Sequence, residues 1–185
     1  MDTDSLIKNW HAKASEDDYF SKFIFEYLAF IAFLEKRKFT NTRLDREAIQ
    51  KLKRDQQTRD QYFNDLQNNN LAKEAWGKII NELNNVRLGN VNRNGEGAEE
   101  IRWWNCSHNQ LDSKTQIEKE KVSGVIHGLD DWENMIEFWY SIRNNLFHGG
   151  KDPQDNRDLL VVENGYKTLN PLMEIFLNRE QNSMQ

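Results

Sequence analysis

The feature that most limits the fold of this sequence is the apolar run FIFEYLAFIAFL, which covers Phe23–Leu34. Apolar side chains here recur at helical spacing, and additional aromatic residues make nearly every face of the helix apolar. The run is too short to span a bilayer and contains Glu26, so it does not predict a membrane segment. It predicts instead a buried helix from about 17 to 39, capped by Asp17 or Asp18, at the centre of the fold.

Helical periodicity predicts four more main helices, at about 43–67, 71–86, 131–148 and 155–180. The second is highly charged, with a thin apolar stripe, and is expected to be peripheral. Asn164-Gly165 and Pro171 are expected to interrupt or kink the last one. With only two prolines, nine glycines and few runs rich in Val or Ile, the composition also favours helices over a sandwich or barrel.

The predicted fold class is therefore all-α, a bundle of about five main helices in a single domain over 1–185. A long irregular insertion, 88–127, precedes the 131–148 helix. Loops of that length in a small domain are often functional. Trp103 and Trp104 are expected to anchor part of it, with stacking on nucleic-acid bases as the less favoured alternative.

Charge and cysteine usage narrow the class of protein. The net charge is −5, but Lys36–Arg59 holds nine basic and three acidic residues, so this segment is +6 and the rest is −11. A solvated charged surface is the favoured interpretation of that segment, and a track for an RNA backbone is the alternative. The single cysteine, Cys106, excludes an internal disulfide and fits a reducing cytoplasm, and the acidic N-terminus does not resemble a signal peptide.

The stretch RNNLFHGGKD, residues 143–152, ends the 131–148 helix. Gly149-Gly150 supplies a helix stop, and Pro153 prevents the helix from resuming. At 100° per residue, Arg143 and His148 lie about 140° apart on the helix, whereas Asn144 and His148 share a face. Asn144 is therefore expected to hydrogen-bond and orient the His148 imidazole, while Arg143 points elsewhere.

Two interpretations of this helix end remain open. In the structural one, His148 interacts with the helix dipole, and Arg143 pairs with a carboxylate or lies over Trp139. In the catalytic one, the residues cleave RNA without a metal. A histidine moves the protons of the attacking 2′-hydroxyl and the leaving 5′-oxygen, and an arginine stabilises the charge on phosphorus. Because the two side chains diverge, a two-fold dimer is a natural way to bring them together.

An Arg-Asn-x-x-x-His stretch at the end of an aromatic-rich helix, followed by glycines and another helix, resembles the HEPN superfamily (higher eukaryotes and prokaryotes nucleotide-binding). The wording NNLFHGGK and the early helix FSKFIFEYLAFIAFL are similar to Apea-like and related bacterial members. The resemblance covers about 17–40 and 128–178, and 41–127 matches nothing in the family.

The resemblance implies an all-α bundle that dimerises through the motif helices and acts as a metal-independent endoribonuclease in a toxin–antitoxin or phage-defence system. Arg143 and His148 would be catalytic and Asn144 supporting. Other members are inactive, or bind a nucleotide, RNA or a partner such as an antitoxin or a nucleotidyltransferase. A plain helical interaction protein, in which the motif only caps a helix, is the third hypothesis.

Three further predictions concern single residues. Lys151, beside the motif, is the predicted phosphate contact of the substrate. Glu26 is expected to pair with Lys22, the alternatives being Arg143 or a raised pKa. No metal or cofactor is predicted, because Cys106 and His108 do not have a zinc spacing and no phosphate-binding glycine loop occurs.

Overall fold

A computed structural model describes residues 3–14, 18–91, 98–100 and 124–183, and almost all of its regular structure is α-helical, as predicted. None of the described helices combines the length and the apolarity needed to cross a membrane. Strands β1 (Gly89–Val91) and β2 (Ala98–Glu100) form one short antiparallel pair. The described helices are α1 (Thr3–Ala14), α2 (Tyr19–Phe33), α3 (Asp45–Lys53), α4 (Gln56–Asn68), α5 (Asn70–Asn85), α6 (Trp132–Phe147) and α7 (Asn156–Ser183).

The central helix α2 begins where the sequence predicts. Asp18 is its N-cap, and the carboxylate accepts hydrogen bonds from the backbone N–H groups of Phe20 (2.8 Å) and Ser21 (3.3 Å). The helix ends in a π-helical turn, Leu34–Lys38, in which the N–H of Phe39 donates to the carbonyl of Leu34. This turn accounts for the remainder of the predicted 17–39 helix.

The prediction of one helix over 43–67 is wrong, because the chain breaks at Arg54–Asp55 into α3 and α4. The Asp55 side chain accepts hydrogen bonds from the backbone N–H and the hydroxyl of Thr58 and so caps α4. An aspartate that binds free N–H groups in this way starts a new helix in place of continuing the old one. Asp55 also pairs with Lys38, whose Nζ lies 2.6 Å away.

The expected interruption of the last helix does not occur, since α7 continues through Asn164-Gly165 and Pro171. Gly165 serves close packing: a Cβ there would lie 3.1 Å from Ile142 of α6 and 3.2 Å from the Phe23 ring of α2. Its missing side chain lets three helices approach one another. Pro171 has no N–H to donate to the carbonyl of Lys167 one turn earlier, yet the helix continues past it.

The centre of the bundle is aromatic, and hydrogen bonds connect its polar atoms. The Trp76 indole of α5 donates to the Tyr62 hydroxyl of α4 (2.9 Å), which donates to the Thr168 carbonyl of α7 (2.7 Å). The Trp139 indole of α6 donates to the Thr168 hydroxyl (3.0 Å). All four side chains are buried, so the contacts satisfy groups that water cannot reach.

The described residues at the two ends of the predicted insertion contact each other and the motif helix. The Leu88 N–H donates to the carbonyl of Gly124, and a Cβ on Gly124, whose φ is +79°, would lie 2.6 Å from the Leu88 carbonyl oxygen. The Asn145 amide of α6 donates to the carbonyl of Gly89 (2.8 Å). The predicted irregular segment therefore starts with strands held against the motif helix. Trp103, Trp104 and Cys106 lie outside the described residues.

Helix α1 is absent from the sequence prediction, although its apolar residues do have helical spacing. Ile7 and Ala14 are buried, and the Trp10 ring stacks on Phe25 with 5.5 Å between centroids. The same helix supplies His11, whose Nδ1 lies 2.9 Å from a Glu26 oxygen and whose Nε2 lies 3.2 Å from Glu174.

Glu26 pairs neither with Lys22 nor with Arg143, so both expected partners are wrong. Its buried carboxylate is held by His11 and by the Asn170 amide of α7 (3.1 Å). Burial raises the pKa of Glu26, as one alternative anticipated, although the hydrogen bond from His11 opposes that rise. The hydrogen bond to Glu26 raises the pKa of His11 in turn. This partner could not be predicted from the sequence, because the prediction contains no helix that carries His11.

We expect the free energy of unfolding to fall as pH rises through the His11 pKa. That pKa is raised above its ordinary value of 6.5, so the pairing stabilises the fold below this value and is lost as pH rises through the raised pKa. His11→Gln should cost about 2 kcal/mol near pH 6 and flatten the pH dependence, measured by urea denaturation. Glu174→Gln removes only the exposed partner of His11, so it should change the free energy of unfolding and its pH dependence far less. The same pH dependence in His11→Gln and in wild type would contradict this account.

Candidate active site

The motif lies at the C-terminal end of α6, and the chain leaves the helix through two backbone hydrogen bonds. The Gly149 N–H donates to the Leu146 carbonyl (3.2 Å), and the Gly150 N–H donates to the Asn145 carbonyl (2.8 Å). Gly149 has a φ of +69°, the left-handed conformation that favours glycine. This pattern is the Schellman motif, so the predicted glycine stop is confirmed. It fixes His148 as the last residue before the chain turns.

His148 is exposed to solvent, and no described side chain hydrogen-bonds its imidazole. The expected hydrogen bond from Asn144 is absent from these contacts. The Asn144 Oδ1 instead accepts from the Arg143 guanidinium at 3.0 Å, and only the backbone carbonyl of Asn144 contacts His148, by accepting from its N–H. Asn144 and His148 share a helix face, but the Asn144 amide oxygen accepts from the charged neighbour Arg143, which is a stronger donor than a neutral group.

Arg143 is partly exposed and is surrounded by one acid and two rings. Its Nη2 lies 3.2 Å from Oδ2 of Asp45, the first residue of α3. The guanidinium carbon lies 4.8 Å from the centroid of the Phe147 ring and 5.8 Å from that of Tyr27. The carboxylate partner anticipated by the structural interpretation is thus present, whereas the rings differ from the expected Trp139. Arg143 and Asp45 are 30% and 33% exposed, so solvent reaches both partners.

Two side chains next to this ion pair have raised pKa values. Burial raises the pKa of Glu35, in the π-helical turn, and the charge of Asp45 adds to the rise. Burial also raises the pKa of Tyr27, which the positive charge of Arg143 opposes. The Tyr27 hydroxyl is buried and has no hydrogen-bond partner in the part of the chain that the structure describes. Glu35, Asp45 and Tyr27 belong to no recognisable sequence motif, so they could not be predicted as site residues from the sequence alone.

Lys151, the predicted phosphate contact, is turned inward. Its side chain is only 5% exposed and pairs with Asp158 in the first turn of α7. The same carboxylate accepts from the backbone N–H of Asp152 (2.9 Å), so the pair closes the loop between α6 and α7. In this arrangement the Lys151 charge is not presented to a ligand.

The basic segment Lys36–Arg59 does not form a continuous cationic surface in the described structure. Five of its nine cations are paired with acids: Arg37 with Asp4, Lys38 with Asp55, Arg46 and Lys53 with Glu137, and Arg59 with Asp60. Lys53 and Glu137 are nearly fully buried, so this contact fastens α3 to α6. The favoured interpretation, a solvated charged surface, agrees with the exposed pairs of this segment, whereas the buried Lys53 departs from it.

A second histidine at the other end of α6 has an acid partner. The His127 Nδ1 lies 2.8 Å from Oδ2 of Asp131, which also accepts from the His127 backbone N–H and from the Asn134 amide. These contacts order the turn that leads into α6, in which Asp131 is the N-cap residue. Among the described residues, no group of three or more His, Cys, Asp or Glu side chains could hold a metal ion.

We expect Gly149→Ala to lower the free energy of unfolding by about 1 kcal/mol, because an L-residue pays for a positive φ. The matched control is Gly77→Ala in the middle of α5, which should raise it by about 0.5–1 kcal/mol. A Cβ at either position would meet nothing within 4 Å, so crowding plays no part. Thermal or urea denaturation of both variants measures the difference. A stabilising effect at both positions would contradict the assigned end of α6.

No protein-family model, curated protein or solved structure matches this chain. The HEPN resemblance therefore rests on the sequence, chiefly on Arg143, Asn144 and His148 at the end of an aromatic-rich helix. What the site does must follow from the chemistry of these residues and of the side chains around them.

Proposed function

We propose that this chain is a metal-independent endoribonuclease of HEPN type, active in a bacterial toxin–antitoxin or phage-defence context. The observation that carries the proposal is the pair of groups at the end of α6. His148 presents an exposed imidazole without a described hydrogen-bond partner, and Arg143, five residues earlier, presents a solvent-accessible guanidinium. These are the two side-chain chemistries that RNA cleavage without a metal requires.

In the proposed reaction, the 2′-hydroxyl of one nucleotide attacks its own 3′-phosphate. A His148 imidazole takes the proton of that hydroxyl, and an imidazolium returns a proton to the 5′-oxygen as its bond to phosphorus breaks. Arg143 stabilises the negative charge on the phosphate oxygens during the attack. The products are a 2′,3′-cyclic phosphate end and a 5′-hydroxyl end. Asn144, bonded to Arg143, holds the guanidinium in place.

The proposed site is shared between two copies of the chain, because Arg143 and His148 diverge by about 140° on one helix. Exposed apolar residues flank the Arg143–Asp45 ion pair on both sides: Phe147, against Arg143, is 56% exposed, and Leu44, which precedes Asp45, is 62% exposed. An apolar rim around a pair of opposite charges is self-complementary under a two-fold rotation. These features support a homodimer that brings two motif helices together.

A second candidate is a non-catalytic HEPN module that binds a nucleotide, RNA or a partner such as an antitoxin or nucleotidyltransferase. The pairing of the cations favours it: Asp45 already neutralises Arg143, and Asp158 already neutralises Lys151. A site that keeps its cations internally paired has less charge available for the transition state. Cleavage assays separate the two candidates directly.

We expect the purified protein to cleave single-stranded RNA in the presence of EDTA and to leave 2′,3′-cyclic phosphate ends. His148→Ala should lower the cleavage rate at least 100-fold, because it removes the group that transfers protons. The control is Asp152→Asn, an exposed change beyond the helix end, which should retain activity. Circular dichroism verifies that both variants are folded. Equal cleavage by His148→Ala and wild type would exclude the assignment.

Mixing two inactive variants tests whether the site is shared between subunits. Arg143→Ala and His148→Ala should each be inactive alone. After co-refolding, mixed dimers would combine Arg143 of one chain with His148 of the other and recover part of the wild-type rate. Each dimer composition is measured by mass spectrometry alongside the cleavage rate. Mixed dimers that form but stay inactive would contradict a site built from both copies.

A further inference from the structure

The acid that pairs with Arg143 comes from a different part of the chain. Asp45 is the first residue of α3, and its Oδ2 lies 3.2 Å from Nη2 of Arg143. A carboxylate and a phosphate group both offer two oxygens in the plane that the arginine fork recognises. In the proposed enzyme, the group that the guanidinium must bind is a phosphate of RNA. Asp45 thus occupies the place that this phosphate would take.

A second observation points to a ligand at the same place. The Tyr27 hydroxyl is buried and has no hydrogen-bond partner in the described part of the chain. Its ring lies under the guanidinium of Arg143, at 5.8 Å from centroid to carbon. Buried hydroxyls are nearly always hydrogen-bonded, because an unmade bond is unfavourable. A phosphate on Arg143 has oxygens beyond the two that the Asp45 carboxylate offers, and one of these would supply the acceptor that Asp45 does not.

The Arg143–Asp45 contact is more exposed than the ion pair that fastens α3 to α6 and the one that closes the loop between α6 and α7. Lys53 and Glu137 are 2% and 5% exposed, and Lys151 is 5% exposed against Asp158. Arg143 and Asp45 are each about one third exposed, so water can replace either partner. Glu35 lies beside Asp45: burial raises the pKa of the Glu35 carboxyl, and the charge of Asp45 and a hydrogen bond between the two side chains add to the rise. Of these three ion pairs, Arg143–Asp45 is therefore the one that a ligand can separate with the smallest loss of free energy.

We propose that Arg143 and the Tyr27 hydroxyl form a phosphate subsite that Asp45 fills in the unliganded protein. A phosphate group of single-stranded RNA binds by displacing the Asp45 carboxylate. This inference rests on the proposed function for the identity of the ligand, and it adds Tyr27 as a binding residue and Asp45 as an internal competitor.

The test measures binding without cleavage. The probe is a short, fluorescently labelled single-stranded RNA in which every 2′-hydroxyl is methylated, so that no attack on phosphorus is available. Asp45→Asn should lower the Kd of this probe roughly two- to fivefold, the range expected for loss of a competing partly exposed ion pair. Asp45→Ser, which also removes the charge, should have the same effect. Fluorescence anisotropy at constant salt gives each Kd.

The matched control is Asp60→Asn. Asp60 also pairs with an arginine, Arg59, at 2.8 Å on the surface, so its replacement removes the same charge and releases the same kind of side chain. It should not lower the Kd to the extent that Asp45→Asn does. In a protein that already carries Arg143→Ala, Asp45→Asn should not lower the Kd of the RNA probe. Tyr27→Phe should raise the Kd of the Asp45→Asn protein while its thermal stability is kept, since the hydroxyl that is lost has no described partner.

Three results would overturn the subsite. Asp45→Asn could lower the Kd of the RNA probe no more than Asp60→Asn does, or could still lower it in the Arg143→Ala background. The third is that no variant binds the probe measurably. The outcome is separable from that of the proposed ribonuclease. An Arg143-dependent gain in a protein that never cleaves RNA would keep the subsite and refute the enzyme. RNA cleavage by the wild-type protein, together with an unchanged Kd for Asp45→Asn, would support the enzyme and refute the subsite.

Discussion

Buried hydrogen bonds at the Tyr62 hydroxyl and at Thr168 together connect four helices. The Tyr62 hydroxyl accepts from the Trp76 indole and donates to the Thr168 carbonyl, while Trp139 donates to the Thr168 hydroxyl. Each of these buried groups would cost about 1–3 kcal/mol if left unpaired, so the helices cannot rotate independently. Because Trp139 fixes the rotation of α6, the residues at the end of that helix have a defined direction. The core thus determines that His148 faces solvent.

The helical class and most helix positions could be predicted from the sequence because apolar spacing and capping residues are local signals. Asp18 and Gly149 act where those signals place them. One failure came where the reason for a residue is distant in the chain, and another where two local signals competed. Gly165 suggests a break when only its neighbours are considered, but it is required by Phe23 and Ile142 on other helices. Asp55 divides α3 from α4 through a local cap that competed with a continuous charged pattern.

The candidate site also has some features that the sequence predicts and others that it does not. The exposure of His148 and the form of the helix end follow from angles along one helix, and the sequence contains them. The electrostatic surroundings do not follow, because each ion pair joins residues far apart in the chain. Asp45 on Arg143 and His11 on Glu26 become neighbours only when helices pack. Spacing within a motif therefore identifies which residues can act, but it does not show whether their charges are available.

The attachment of α3 to the rest of the bundle has a consequence for how fast the Arg143 pair can open. The Lys53–Glu137 contact and the hydrogen bond from the Trp132 indole to the Leu52 carbonyl fasten the C-terminal end of this nine-residue helix to α6. A hinge motion of the whole helix would break both buried contacts. Asp45, at the other end, can leave Arg143 by rotating about its own side-chain bonds. Such rotations of partly exposed side chains take picoseconds to nanoseconds, so the Arg143–Asp45 pair can open without a movement of the fold.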